Sequence, residues 1–233
     1  MRMTHVVRIE DLSPHMRRIV VGGEALEDFP LGQEGAHVKA VFPKPGEKEP
    51  KLGLMLGAKK WMRSYTIRTF DEHKQELSLD FAVNDHRGLA TDWASQAQIG
   101  DLLGIAGPGP TKYTNYQAHW HLIVADLTAL PAAAAALEKL PTNAKGYALI
   151  QVPTTADIQP LKKPKGIELN WVIGPYQHKN LLLEKVQQVE WLNEEPAIFI
   201  AAESAQMQEI KLYIKTKPGY QKKLTYASGY WKA

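Results

Sequence analysis

The sequence predicts a two-part chain, with a small β barrel or sandwich first and a parallel α/β sheet second. Three observations predict it. The first half is a series of six short β-rich runs separated by Gly, Pro or charged turns. The second half alternates apolar strands with helical patterns. Between them, "GPGPTKYTN" interrupts both patterns. The break is set after residue 113, giving domains 1–113 and 114–233.

The six runs are "HVVRIEDL", "MRRIVVGG", "GAHVKAVF", "RSYTIRTF", "ELSLDFAV" and "DLLGIAGP". Their number and length suit a closed or sandwiched antiparallel sheet. "PKPGEKEPKLGLMLGAKKWM" reads as an exposed loop, and "RGLATDWA" as a turn entering a helix, with Thr91 a candidate cap. In the second half, "WHLIVAD" is an apolar strand and "TALPAAAAALEKLP" a helix with Thr128 placed to cap it. "GYALIQV" and "IELNWVI" follow as strands, then "NLLLEKVQQVEWL" as an amphipathic helix. "PAIFIAA" is a buried strand, "SAQMQEIKLYIKTK" a helix and "KLTYASGYW" a final strand.

Composition narrows the function classes. With no cysteine in 233 residues there is no thiolate nucleophile and no cysteine-held zinc or iron–sulfur cluster. Neither a spanning segment nor a signal peptide is read, so a cytoplasmic location is expected. Residues 1–116 hold 15 Lys+Arg against 15 Asp+Glu, whereas residues 117–233 hold 13 lysines, no arginine and 10 acids. That mild positive field suits an acidic small molecule or an acidic protein. Without a basic stripe interleaved with aromatics, nucleic acid is not expected as a partner.

The chemistry concentrates in "RSYTIR", residues 63–68. On a strand, Arg63, Tyr65 and Ile67 share one face and Ser64, Thr66 and Arg68 the other. A guanidinium grips phosphate with a planar fork, a tyrosine ring lies against a flat heterocycle, and a hydroxyl donates to a ring nitrogen. One short strand thus offers what a flavin nucleotide needs. About 20 residues on, the start of the "GLATDWA" helix offers free amides for a diphosphate. Solvated arginines, a plain cap and a core tryptophan are the competing readings.

Together with "IAGPGP", "ADLTALPAAAAALEKLP" and the ending "YASGYW", these segments resemble the bacterial siderophore-interacting proteins. Those are FAD-dependent ferric-siderophore reductases of the ferredoxin-reductase-like superfamily. The resemblance runs over nearly the whole chain. It implies a ferredoxin-reductase-like, FAD-binding antiparallel barrel followed by a nucleotide-binding-like parallel sheet. Arg63 and Arg68 then become flavin-strand arginines, Tyr65 packs on the isoalloxazine and Thr66 donates to its ring. Asp80, Val83, His86, Leu89, Ala90, Thr91 and Trp93 fall in the second flavin segment. The chain departs from the family pattern at Asn84-Asp85, where His-Gly is usual, and at Gly88-Leu89-Ala90, where Gly-Pro-Ala is usual. No catalytic side chain and no protein-held metal is expected, because the flavin is the redox centre and the siderophore wraps its own iron.

Anionic ferric siderophores imply lysines along the approach, and Lys59, Lys60, Lys112, Lys215 and Lys232 are the candidates, with Lys211 nearby in sequence. The expected partners are a ferric siderophore and either ferredoxin or NAD(P)H as electron donor, with no membrane and a monomeric chain. The second half lacks G-x-G-x-x-G, so its nicotinamide site is weakly marked. Two alternatives stay open: a general NAD(P)H–flavin or ferredoxin oxidoreductase, and a non-catalytic siderophore carrier.

Overall fold

Alternating apolar and polar side chains turn the first half into strands β1 (Arg2–Ser13), β2 (Met16–Gly22), β3 (His37–Val41), β4 (Met62–Asp71), β5 (Glu76–Ala82) and β6 (Leu102–Ala106). They close into an antiparallel barrel in the order β1-β2-β5-β4-β3-β6. Closure pairs every barrel strand with a neighbour on each side along part of its length. Inward side chains such as Ile19, Val38, Leu79, Phe81 and Ile105 form its core. Gly104 on β6 is held to glycine by a neighbour, since a Cβ there would lie 2.5 Å from Leu52 and 2.9 Å from Val41. Among the described residues one α-helix, α1 (Leu89–Gln96), belongs to this half.

The computed structural model describes all residues except 54–57, 84–87, 112, 114 and 179. The chain divides into two units, Met1–Thr111 and Lys112–Ala233. The second holds β7 (Trp120–Asp126), α2 (Leu130–Lys139), β8 (Lys145–Val152), β9 (Gly166–Ile173), α3 (Leu181–Gln188), β10 (Pro196–Glu203), α4 (Ser204–Ile214) and β11 (Thr225–Trp231). Its five strands are all parallel, in the order β11-β10-β7-β8-β9. The chain therefore winds outward from β7 through β8 to β9, then returns to the other side of β7 for β10. Every residue of β7 is buried, as a central parallel strand requires. At the far edge, β11 carries one extra residue: Ala202 faces Gly229 and Glu203 faces Trp231, with Tyr230 bulged out between.

Two details differ from the sequence expectation. Thr128 does not cap the second-half helix. Asp126 does, accepting from the amides of Thr128 and Ala129 at the 3-10 turn that leads into α2. A carboxylate reaches two amides at once, and Thr128 spends its own hydroxyl on the same carboxylate. The segment "NLLLEKVQQVEWL" is helical only to Gln188, because Val189 turns extended. Trp191 leaves the helical line and meets Trp120 edge-on, ring centroids 4.9 Å apart.

His121 on β7 is fully buried, with Nδ1 2.7 Å from the Tyr113 hydroxyl. Burial holds the Tyr113 phenol far above its ordinary pKa, so it stays protonated beside the imidazole. Burial also pushes His121 down to about 4, against a backbone contact at Tyr116 that works the other way. The folded state therefore favours neutral His121. The stability this contributes is fully present above the ordinary value of 6.5 and is lost as pH falls through about 4. Loss on the order of 3 kcal/mol is expected across that window. Denaturant unfolding of the wild type and His121→Gln between pH 7 and 4 checks it: the variant should show a clearly shallower slope with pH.

Candidate functional site

Strand β4 changes partners midway. Residues 62–66 pair with β3, with Tyr65 opposite Val38 and Thr66 opposite His37. Pairing with β5 starts only at Ile67, and a register shift between Ile67 and Thr69 makes Arg68 a bulge residue. The edge of residues 62–66 away from β3 thus has no β5 ladder. Its backbone donors and acceptors face the place where β4 and β5 diverge.

Tyr65 lies in that divergence, half-buried, its ring centroid 4.0 Å from Phe81 of β5 and 6.5 Å from Phe42. Trp93 of α1 joins the cluster, 5.4 Å from Phe42 and 5.8 Å from Phe81. Phe42 and Phe81 are buried behind Tyr65 and Trp93, so these two half-buried rings are the ones that offer an aromatic wall to a planar molecule. Burial pushes the Tyr65 phenol up, against the nearby Arg63 charge, so it stays protonated. Thr66 is buried beside it on the opposite face of β4. Arg63 is exposed and folds its Nη1 onto the carbonyls of Lys60 and Met62, at 3.0 and 2.9 Å. Arg68 is half-buried at the bulge.

Among the described residues no side chain caps the start of helix α1. Gly88 stands at the capping position in extended backbone, and its carbonyl accepts from the Asp92 amide at 2.8 Å. Thr91 is the third helical residue rather than the cap. The amides of Leu89, Ala90 and Thr91 are therefore the helix's orphan donors, at the positive end of its dipole. Ala90 is buried, while Leu89, Val83 and Trp93 pack half-buried on the barrel core. Asp80 is committed elsewhere: Arg18 grips both its oxygens, at 2.7 and 2.9 Å. His86, with Asn84 and Asp85, lies outside the described residues.

In the second unit the strand order reverses between β7 and β10. A crevice at such a point, at the carboxyl ends of parallel strands, is where doubly wound sheets bind ligands. Here it is filled by the chain itself. Asp126 at the end of β7 is fully buried and accepts from Thr128 N, Thr128 Oγ1, Ala129 N and Trp231 Nε1, the last at 2.7 Å. Desolvation raises its carboxyl above the ordinary range, and those four donors pull it back. The Trp231 ring meets Tyr176 edge-on at 5.2 Å, and the Ser204 hydroxyl donates to the Trp231 carbonyl. Gly229 admits this approach, because a Cβ there would lie 2.4 Å from Ser204 Oγ.

The candidate lysines fall in both units. Lys59 and Lys60 sit side by side and exposed on the 3-10 turn entering β4. Lys215 is exposed at the C-terminal end of α4, whereas Lys232 follows β11 next to the start of α4. The helix separates them by its length, about 16 Å. Lys232 is thus at the carboxyl edge of the sheet and Lys215 at the opposite edge, with Lys211 in the last turn of α4. Lys112 lies outside the described residues. Among the described residues no three His, Asp or Glu side chains form a metal site, and no helix is long and apolar enough to cross a membrane.

Sequence reasoning missed Phe42, Phe81 and Arg18, which build and brace the aromatic wall, and Asp126. Only Asp126 carried a sequence signal, an acid two residues before a helical run. The others depend on cross-strand register.

Comparison with known proteins agrees across the chain. Residues 5–112 match the family described as siderophore-interacting FAD-binding domain, and residues 118–233 the family described as siderophore-interacting protein. The ferric vibriobactin reductase ViuB of Vibrio cholerae is 31% identical over 99% of this chain and 89% of its own length. The NADPH-dependent ferric-chelate reductase of Escherichia coli is 32% identical over 78% of this chain and 75% of its own. The crystal structure of the siderophore-interacting protein SipS from Aeromonas hydrophila superposes with a TM-score of 0.86 at 32% identity, covering 99% of this chain and 91% of that one. A ferredoxin reductase of carbazole dioxygenase, at 13% identity and a TM-score of 0.67, shares the fold.

The Trp231–Asp126 bond yields a direct test. Trp231→Phe keeps an aromatic ring and deletes the donor to a buried carboxylate. It should cost about 1–3 kcal/mol of unfolding free energy. Urea unfolding followed by far-UV circular dichroism reads it as a lower midpoint with an unchanged slope.

Proposed function

The chain belongs to the siderophore-interacting protein family, and from that premise we propose that it is an FAD-dependent oxidoreductase that reduces Fe(III) held in a siderophore. The observation that carries the reading is the divergence of β4 from β5, which leaves the 62–66 edge without a β5 ladder beside the Tyr65–Phe81–Trp93 wall. A flat tricyclic ring needs such an apolar face and such a row of backbone donors and acceptors. The uncapped start of α1 offers what a diphosphate needs. FAD therefore fits the residues present, and when bound it supplies one-electron delivery to iron.

The residues take the following roles in this reading. Tyr65 lies along the ring, and Thr66 with the adjacent backbone hydrogen-bonds its polar edge. Arg63, exposed and resting on the backbone carbonyls of Lys60 and Met62, swings to the phosphates. Arg68, at the bulge, completes the flavin strand. The amides of Leu89, Ala90 and Thr91 receive the diphosphate, and Trp93 and Val83 close the apolar side. Asp80 acts indirectly, by pinning Arg18. Lysines of each unit are taken to attract the anionic ferric complex: Lys59 and Lys60 on the first, and Lys232 and Lys215, at opposite ends of α4, on the second. Iron enters and leaves as substrate: hard oxygen ligands hold Fe(II) less tightly than Fe(III), so reduction loosens it. The reading takes the protein to act as a cytoplasmic monomer.

For the electron donor we infer the order reduced ferredoxin, then NADH, then NADPH. Asp126 already occupies the amides where α2 begins, the usual seat of a dinucleotide phosphate. Residues 117–233 hold no arginine for a 2′-phosphate and carry net positive charge suited to an acidic protein. The name of the E. coli relative makes NADPH the main competitor.

Two measurements test these statements. The purified protein should release FAD on heating, identified by chromatography against FMN; FMN, or no flavin from folded protein, overturns the cofactor assignment. In anaerobic stopped-flow mixing, reduced ferredoxin should bleach the flavin faster than NADH or NADPH at matched concentration. A faster reaction with NADPH reverses the donor order.

A further inference from the structure

Arg17 is not on the flavin strand, and nothing in the proposed function uses it. Its side chain nonetheless reaches the far end of the phosphate helix. Nη1 donates to the carbonyls of Ala94 and Ser95, at 3.1 and 3.2 Å, in the last turn of α1. Nε and Nη2 are held by the two oxygens of Asp11, at 2.7 and 3.4 Å. On β2, Arg17 stands directly opposite Phe81, the ring beneath Tyr65. Its side chain is only 23% exposed. Arg17 therefore touches the scaffold of the aromatic wall on one side and the end of α1 on the other.

We propose that Arg17, oriented by Asp11, is a positioning residue for the cofactor's diphosphate, acting through α1. This rests on the reading that the α1 start receives that diphosphate. Eight residues make a helix about 12 Å long, too short to hold itself in water. Its buried residues are two small alanines, Ala90 and Ala94, and its larger apolar side chains, Leu89 and Trp93, pack half-buried on the barrel core, so apolar contact holds its inner face while its last turn needs polar partners. The last-turn carbonyls have no partner inside a helix, and Ala97 continues in extended backbone. Arg17 satisfies two of them and sets a full positive charge at the negative end of the dipole. It thereby fixes the axis along which the orphan amides of Leu89, Ala90 and Thr91 point. Arg18, the next residue, points to the other face and fastens β2 to β5 through Asp80. The two arginines together tie strand, ring wall and helix into one frame.

The test uses the full chain, freed of flavin and titrated with FAD and with riboflavin, which lacks phosphates. Arg17→Ala should weaken FAD binding about tenfold while leaving riboflavin affinity unchanged. Arg17→Lys, which keeps a cation on the same carbonyls, should recover most of that loss, and Asp11→Asn should reproduce part of it. A merely structural lesion would weaken both ligands equally, and that result overturns the inference, as does an unaltered FAD affinity. Thr91→Glu sets a negative charge beside the amides themselves and tests the underlying reading. If Thr91→Glu weakens FAD selectively and Arg17→Ala does not, the inference fails alone. If neither discriminates FAD from riboflavin, the diphosphate is not held at α1 and both fail.

Discussion

Strand β4 cannot serve two neighbours along its whole length, and the first unit's site follows from that constraint. From Ile67 onward it belongs to the β5 ladder, and before Ile67 it belongs to β3 alone. The Arg68 bulge is where the change happens. An ordinary barrel would seal the gap with continuous pairing and leave no polar backbone to offer. Here Phe81 and Tyr65 fill the gap with rings instead of hydrogen bonds. The barrel stays closed lower down, so its core remains dry while one rim displays donors, acceptors and an aromatic surface together.

The six-strand and alternating halves were legible because hydrophobic period and turn residues are local properties. All six β-rich runs became barrel strands, and the parallel sheet followed the apolar runs of the second half. The alternation of "RSYTIR" put Tyr65 and Ile67 on one face, and both do pack on the barrel core. It could not announce that Arg68 is bulged, because a bulge is defined by the partner strand. The same limit hid Arg18 from Asp80, 62 residues apart in sequence. Thr128 was a reasonable cap on composition alone. Asp126 displaced it because a carboxylate one turn earlier reaches both amides and takes the threonine hydroxyl as well.

The two units treat helix termini in opposite ways. In the first, α1 begins at Gly88 with no side-chain cap among the described residues. In the second, the amides leading into α2 are covered by a buried carboxylate with four donors. One terminus has no cap among the described residues, and the other carries its own anion. Sheet topology alone would have marked the second as the nucleotide seat. The contrast shows why a fold locates a crevice but the side chains decide what enters it.

The bulge at Tyr230 has a consequence for how this sequence can vary. It adds one residue to β11 and so brings Trp231, rather than Tyr230, opposite Glu203. With every residue kept but the bulge closed, Tyr230 would stand opposite Glu203 and Trp231 would slip one place, turning the indole to the other face of the sheet. Position 230 is thus a spacer: the extra residue is what aims Trp231 at the buried carboxylate of Asp126.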